Sequence, residues 1–184
     1  MNKQDCILLF NRIHPGFFES EEIRSLPEGE IFEEMLLPLD EFDINIYDKK
    51  FGDNVSFGLF NGGFGELKKA VGRVDEDWVQ FFNEDDRIYC GYIDGKVASF
   101  CIIDDKGIFG INGRNIRVGA PGCVGTLPEY RDRGIGLTMV KNATQILKDE
   151  GFDYGYIHFT YVAKWYEKLG YKTVLRWNRN GVID

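Results

Sequence analysis

A loop with two glycines separated by one residue most constrains how this chain folds. Gly134-Ile135-Gly136 follows an extended pattern that ends near Thr126. It precedes an amphipathic helical pattern, Leu137–Glu150, which ends before Gly151. Glycines at this spacing let consecutive backbone N–H groups turn towards one point, at the positive end of the following helix. The segment therefore predicts a strand–loop–helix unit that can bind an anion such as a phosphate.

Side chains around this loop favour the same kind of ligand. Arg131 and Arg133 supply positive charge, and the Thr138 hydroxyl supplies a hydrogen bond in the first helical turn. The loop of nucleotide triphosphatases is excluded, because the Gly-Lys-Ser/Thr sequence it needs is absent. The dinucleotide fingerprint is excluded too, because Met139 stands where its third glycine would be. Taken alone, the loop fits a ligand site and a purely structural helix start equally well.

Strand and helix patterns alternate on both sides of this loop. Arg87–Ile93 and Val97–Ile103 alternate as two strands, and Asp94-Gly95 between them is typical of a tight hairpin turn. Ile116–Thr126 predicts a third strand, and its Gly119-Ala120-Pro121-Gly122 sequence predicts a bulge, since proline and glycine interrupt a regular ladder. Beyond the central helix we predict a strand, a helix and a last strand: Tyr154–Thr160, Val162–Leu169 and Tyr171–Trp177.

The first 86 residues carry weaker patterns. Short helices are predicted at Glu19–Leu26 and at Glu28–Leu37, the second ended by Pro38. A capped helix is predicted after Asp75, over Glu76–Phe82. Gly52-Asp53-Asn54 and Asn61-Gly62-Gly63 are turn sequences.

Length, charge and cysteine content exclude several classes of protein. A chain of 184 residues is the size of one domain. Its net charge is −8, and residues 1–86 hold 20 acidic against 8 basic side chains, so binding to nucleic acid is not expected. No apolar run is long enough to span a membrane or form a signal peptide. The four cysteines form no CxxC pair, which disfavours a metal site or a disulfide framework and favours the cytoplasm.

Two motifs, in this order of elements, resemble the GNAT acyltransferase superfamily. Arg131–Gly136 matches its coenzyme A signature, R-x-x-G-x-G, and Lys164–Tyr171 is similar to its late FYEKLGF segment. The resemblance covers residues 87–177 and implies one domain over residues 1–184. The implied fold is of the α/β (α+β) class: a mixed, mostly antiparallel sheet of about six to seven strands, helices on both faces, and splayed, bulged central strands.

The same resemblance implies acetyl-CoA as the cosubstrate, without a metal. Backbone N–H groups of Asp132–Leu137 would bind its pyrophosphate, the pantetheine arm would run beside Cys123–Leu127, and an N–H near Leu127 would polarise the thioester carbonyl. The predicted cofactor residues are Val124, Gly125, Thr126, Leu127, Arg131, Asp132, Arg133, Gly134, Ile135, Gly136, Leu137 and Thr138.

For catalysis, the resemblance implies Tyr166 as the general acid that protonates the leaving thiolate. The general base is open. Some family members carry a glutamate in the bulged strand, but Val118–Gly125 holds no carboxylate here, and Glu129 reads as a solvated loop residue. His158 on the next strand has a suitable ordinary pKa, and a water relay is an equal alternative. Phe159-Thr160-Tyr161 stands where the family often has an asparagine.

The implied activity is direct acetyl transfer to a primary amine of a small molecule. The acidic residues 1–86 suggest the acceptor side and a cationic acceptor: an amino sugar, a polyamine or an amino acid derivative. A catalytically idle domain of this fold, which binds acyl-CoA as a sensor or interaction module, is the alternative. Either a monomer or a homodimer is compatible with the sequence.

Overall fold

The computed structural model describes all residues, 1–184, and is built around one eight-stranded sheet. The strands are β1 (Phe32–Pro38), β2 (Val55–Leu59), β3 (Ile88–Ile93), β4 (Lys96–Ile111), β5 (Arg114–Thr126), β6 (Tyr154–Thr160), β7 (Lys172–Asn178) and β8 (Gly181–Val182). The helices are α1 (Lys3–Ile13), α2 (Glu21–Arg24), α3 (Phe64–Gly72), α4 (Ile135–Asp149) and α5 (Ala163–Tyr166). Five 3₁₀ turns lie at Phe17–Glu19, Ile44–Ile46, Glu76–Phe81, Pro128–Tyr130 and Glu167–Leu169.

The strand order is β2-β3-β4-β5-β6-β1-β7-β8, and every neighbouring pair is antiparallel except β5 and β6. The mixed, mostly antiparallel α/β fold is therefore confirmed, with eight strands. The β3–β4 hairpin is confirmed too. Asp94 and Gly95 both have positive φ, 49° and 75°, as a tight turn between twisted strands requires.

Helices cover both faces of the sheet. The α4 face carries α4 and α5 and includes Met35, Tyr89 and Ile157. The α1 face carries α1, α2 and α3 and includes Leu36, Cys90 and other residues that alternate with the first set. The longest helix, α4, has 15 residues, and no helix reaches the length and apolar character of a membrane span.

The predicted helix at Glu28–Leu37 is wrong, because this segment contains the central strand β1. β1 pairs with β6 on one side and β7 on the other, and its side chains alternate between the faces, with Met35 and Leu37 towards α4 and Leu36 towards α1. A strand buried on both faces reads as a continuous apolar run, so its period is hidden in the sequence.

Three further elements of the N-terminal part had not been predicted: α1, β2 and α3. A signal for α1 was present, since Asn2 and Asp5 form a reciprocal capping box at its start. The predicted helix near Glu19–Leu26 is confirmed as α2, capped by Ser20, and the one at Glu76–Phe82 as a 3₁₀ turn capped by Asp75. The strands β1 and β2 place the acidic N-terminal part in the same sheet as the rest of the chain.

Candidate functional site

The central strands β5 and β6 separate after a short parallel contact. Val118 pairs with Tyr154 and Gly119 with Gly155, and no further pair joins the two strands. Beyond this point β5 continues along β4 only, and β6 along β1 only. The sheet is therefore open in its middle, as the predicted splay requires.

Both separated strands are bulged at the opening. On β5, Cys123 and Val124 lie opposite the single residue Cys101, and Cys123 has a φ of 47°. The bulge thus follows Pro121-Gly122, which themselves pair in register. On β6, His158 and Phe159 lie opposite Glu34, and Phe159 has a φ of 54°. Positive φ outside glycine marks a backbone that the surrounding structure must hold in place, and it clusters at functional sites.

A cleft of about 470 Å³ lies on the α4 face beside this opening. Its walls are the end of β5, the loop into α4, the first turn of α4, α5 with the residues flanking it, and one residue of the N-terminal part. The lining residues are Tyr47, Val124, Thr126, Tyr130, Arg131, Asp132, Gly134, Ile135, Gly136, Leu137, Val162, Trp165, Tyr166 and Lys168.

The first turn of α4 offers this cleft its free backbone N–H groups. Gly134 is the N-cap, with a φ of 79°, and no side chain caps the helix. The N–H of Thr138 donates to the Gly134 carbonyl at 3.1 Å, which leaves the N–H groups of Ile135–Leu137 without a helical acceptor. Asp132 also has a positive φ, 61°, so the approach to the helix is a concave turn. An anion is the natural partner of such a site.

The two glycines of this loop allow close packing that any side chain would prevent. A Cβ on Gly134 would meet the Tyr47 hydroxyl at 2.6 Å, and a Cβ on Gly136 would meet the Thr126 hydroxyl at 2.4 Å. Arg131 stabilises the same loop, since its Nε donates to the Thr126 carbonyl at 3.1 Å. The spacing of the glycines is therefore explained by local geometry.

Most of the predicted cofactor residues line the cleft, but four do not: Gly125, Leu127, Arg133 and Thr138. Leu127 belongs to the core, and its N–H already donates to the Ala98 carbonyl at 2.9 Å. The N–H of Leu127 itself is therefore not free to polarise a carbonyl, and the role of an N–H near Leu127 stays a prediction. The Thr138 hydroxyl is buried without a partner, and Arg133 lies exposed near the Tyr130 ring.

Five lining residues had not been predicted: Tyr47, Tyr130, Val162, Trp165 and Lys168. Trp165 and Lys168 lie within the Lys164–Tyr171 motif, so a signal for them was present. Nothing local to Tyr47 points to the cleft. It arrives there because the 3₁₀ turn Ile44–Ile46 packs on α4, where the Lys141 ammonium donates to the Tyr47 carbonyl at 2.9 Å.

The two candidate catalytic residues lie on opposite faces of the sheet. Tyr166 is buried in the wall of the cleft, and burial raises its pKa, so the phenol keeps its proton at neutral pH and can donate it. His158 lies on the α1 face, where its ring stacks on that of His14 with centroids 3.9 Å apart. His158 lies beyond the last residue pair between β5 and β6, so it borders the opening.

The cysteine at the bulge is not an activated nucleophile. Burial raises the pKa of the Cys123 thiol to about 11, and that of Cys101, across the bulge, is raised as well. Both side chains are therefore protonated thiols at neutral pH, whereas the thiolate is the reactive form.

The sequence matches one family model, "Acetyltransferase (GNAT) domain", over residues 84–173. This match spans the β3–β4 hairpin, the bulged strand, the glycine loop and α5. No curated protein matches the sequence.

Several solved structures share the fold at low sequence identity. A GCN5-related glucosamine N-acetyltransferase region of a fungal multi-domain GH3 β-N-acetylglucosaminidase superposes with a TM-score of 0.64 at 20% identity, over 82% of this chain and 20% of that one. A GCN5-related N-acetyltransferase from Kribbella flavida superposes with a TM-score of 0.55 at 18% identity, over 88% of this chain and 62% of that one. An aminoglycoside N-acetyltransferase in complex with CoA superposes with a TM-score of 0.51 at 12% identity, over 66% of this chain and 90% of that one. The chain thus spans less than two thirds of the first two proteins.

Proposed function

The chain belongs to the GNAT acetyltransferase superfamily, and we propose that it transfers an acetyl group from acetyl-CoA to a primary amine of a small molecule. The observation that carries this proposal is the uncapped first turn of α4, which opens into a cleft beside the separated strands. A buried helix end without a capping side chain calls for a ligand that accepts hydrogen bonds.

The residues of the cleft fit the diphosphate of coenzyme A. The N–H groups of Ile135–Leu137 and the turn at Asp132 present donors, and Gly134 allows a phosphate to come close. Arg131 and Lys168 add positive charge to the same wall. Main-chain dipoles and these cations attract an anion without the help of a specific side chain.

The pantetheine arm would lie along the exposed edge of β5. Val124 and Thr126 line the cleft where β5 has lost its β6 neighbour. Apart from the Thr126 carbonyl, which accepts from Arg131, this edge can therefore offer main-chain groups to an amide-bearing chain. An added strand here would lead from the diphosphate site towards the opening between the two strands.

Acetyl-CoA, when bound, supplies an acetyl group activated as a thioester. Tyr166 is the proposed general acid, which donates its phenolic proton to the departing sulfur. Its raised pKa supports this role, because the group must be protonated before it can donate. The unreactive thiol of Cys123 supports direct transfer to the amine over an acyl-cysteine route.

For the acceptor we propose a small cationic amine, such as an amino sugar, a polyamine or an amino acid derivative. The net negative charge of the chain, −8, supports attraction of a cation. Structures of the same fold include a glucosamine N-acetyltransferase region and an aminoglycoside N-acetyltransferase, which is compatible with an amine of this size.

Calorimetric titration with acetyl-CoA tests the cofactor site. Wild type should bind in the micromolar range. Gly134→Glu should weaken binding at least about 30-fold, because its side chain would displace Tyr47 and its carboxylate would repel the diphosphate. Gly151→Glu is the matched control. Gly151 has a similar φ, 77°, at the other end of α4, and a Cβ there meets nothing within 4 Å. This control should bind like wild type, whereas no binding by wild type at millimolar acetyl-CoA would refute the proposal.

Release of free thiol in the presence of a panel of primary amines tests the activity. Turnover with an amino sugar or a polyamine would establish the transferase. Binding of acetyl-CoA without turnover of any amine would instead identify an acyl-CoA-binding sensor.

A further inference from the structure

A buried carboxylate on the α1 face accepts hydrogen bonds from four donors. Glu34 of β1 is fully buried, in the centre of the sheet. It accepts from the Trp177 indole at 2.6 Å, the Phe159 N–H at 3.2 Å, the His158 Nδ1 at 2.9 Å and the Tyr156 hydroxyl. A carboxylate has lone pairs for all four bonds, so the set of donors matches the ionised form.

The directions of these bonds assign a proton to each histidine. Because Glu34 only accepts, His158 carries its proton on Nδ1, and no group of the chain bonds its Nε2. The Tyr156 hydroxyl donates its hydrogen bond to Glu34. Its oxygen therefore accepts a hydrogen bond from Nε2 of His14, 3.2 Å away. His158 thus keeps a free Nε2 lone pair, and 26% of its side chain is exposed.

The two stacked histidines have different surroundings. Burial, His158 and Lys106 together lower the pKa of His14 to about 3, so its ring stays neutral. His158 faces the Glu34 carboxylate, the neutral His14 ring and the Tyr156 phenol. The Glu34 carboxylate orients the His158 ring through its bond to Nδ1, as the acid of an acid–histidine pair orients a general base.

A glycine of the neighbouring strand, Gly122, leaves open space at the level of His158. Ala120 of β5 and Tyr156 of β6 pack in the same cluster on the α1 face. Gly122 lies two residues beyond Ala120, and His158 two residues beyond Tyr156, so both face the same side at the same level of the opening. A Cβ on Gly122 would meet nothing within 4 Å.

We propose that the space between Gly122 and His158 is the acceptor site, with Nε2 of His158 as the general base and Glu34 as the residue that positions it. The proposal rests on the proposed transferase function and supplies its missing base. The amine would enter from the α1 face and the thioester from the α4 face, and they would meet in the opening between β5 and β6.

Every proton in the proposed reaction has a donor and an acceptor. His158 takes one proton from the substrate ammonium and passes it to solvent. The amine nitrogen then forms a bond to the acetyl carbon as the carbon–sulfur bond breaks, and Tyr166 protonates the sulfur. A second proton, lost from the acylated nitrogen, restores the Tyr166 phenol. One ammonium and one thioester thus yield an amide, a thiol and one free proton.

Kinetics of amine acetylation test the base. His158→Asn keeps an N–H for Glu34 but removes the basic ring nitrogen, and should lower kcat/KM for the amine about 100-fold at pH 7. The Kd for acetyl-CoA should stay unchanged, since the cleft lies on the other face. A rate within threefold of wild type would overturn the proposal while leaving the transferase function standing.

Separate values of kcat and Kd test Glu34. Glu34→Gln keeps the shape of the side chain but no longer presents a carboxylate to Nδ1 of His158, so kcat for the amine should fall about tenfold while the Kd for acetyl-CoA stays unchanged. Trp177→Phe removes another hydrogen bond to the same carboxylate but keeps the bond to His158, so its kcat should stay within threefold of wild type. An equal loss of kcat in both variants, or a loss in neither, would reduce Glu34 to a structural role.

Filling the open space tests the acceptor site. Gly122→Leu should raise KM for the amine at least about tenfold without changing acetyl-CoA binding. The control is Gly58→Leu, on strand β2, where a Cβ also meets nothing within 4 Å. An unchanged KM, or a loss of acetyl-CoA affinity in place of amine affinity, would overturn the assignment. If wild type binds acetyl-CoA but acetylates no amine, the proposed function itself fails.

Discussion

The two faces of the sheet meet at the same opening but are built by different means. On the α4 face, the part of the cleft that can bind an anion is formed by main-chain N–H groups and glycines within the short segment 126–138. On the α1 face, the network around Glu34 joins side chains that are 122 to 143 residues apart in the chain. The first is a local property of the backbone, and the second exists only when distant strands pair.

Because of this difference, we expect mutations on one face to impair ligand binding and mutations on the other to impair folding stability. The helix end in the cleft has unsatisfied donors that a ligand can use, so disturbing it should impair binding more than folding. The Glu34 network is satisfied within the protein, so breaking it leaves buried donors unpaired and should impair folding. The predictions below test this contrast, from the largest effect to the smallest.

Loss of the Glu34 carboxylate should produce the largest effect. Glu34→Ala leaves the buried partners of the carboxylate without an acceptor and should lower the free energy of unfolding by about 3–5 kcal/mol. Urea unfolding measures this. Glu33→Ala, at the adjacent half-buried position with one hydrogen bond to Thr173, should cost less than about 1 kcal/mol. Equal losses in the two variants would contradict the contrast between the faces.

Removal of the Tyr166 hydroxyl should leave stability nearly unchanged but slow the reaction. Tyr166→Phe should lower kcat about 100-fold in the thiol-release assay, with an unchanged Kd for acetyl-CoA. Tyr171→Phe is the opposite case, since the Tyr171 hydroxyl lies 2.9 Å from that of Thr144 in the core. It should lower the free energy of unfolding by about 1 kcal/mol and leave kcat unchanged. A kcat for Tyr166→Phe close to that of wild type would exclude the general-acid role.

The smallest effect concerns pH. The pKa of His14 is about 3 in the folded protein, below its ordinary value of 6.5, so the unfolded chain binds this proton more readily. Stability should therefore fall as the pH drops from 7 to 5, with His14 contributing about 1 kcal/mol of the loss after allowance for its partial exposure. Unfolding curves of His14→Phe at both pH values should lack this contribution. The same loss in wild type and variant would show that other groups cause it.

Local patterns were sufficient for much of the C-terminal half. The Asp94-Gly95 turn, the start and end of α4, and the strand β6 were predictable because each depends on neighbouring residues: a turn with positive φ, a glycine at a helix end, an alternating strand. For the same reason the glycine loop indicated an anion site before its surroundings were known. The helix expected at Glu28–Leu37 failed because burial on both faces hides the period of a strand.

Tertiary structure decided what lies around the opening. Sequence alone identified Tyr166 through its motif and His158 through its side chain, but not that they lie on opposite faces of the sheet. It did not indicate Glu34 as the partner of His158, or Tyr47 as a wall of the cleft. A hydrogen bond within one turn depends on adjacent residues, whereas these contacts depend on β1 inserting between β6 and β7. The position of β1 between β6 and β7 depends on the packing of the whole sheet, which no short stretch of sequence encodes.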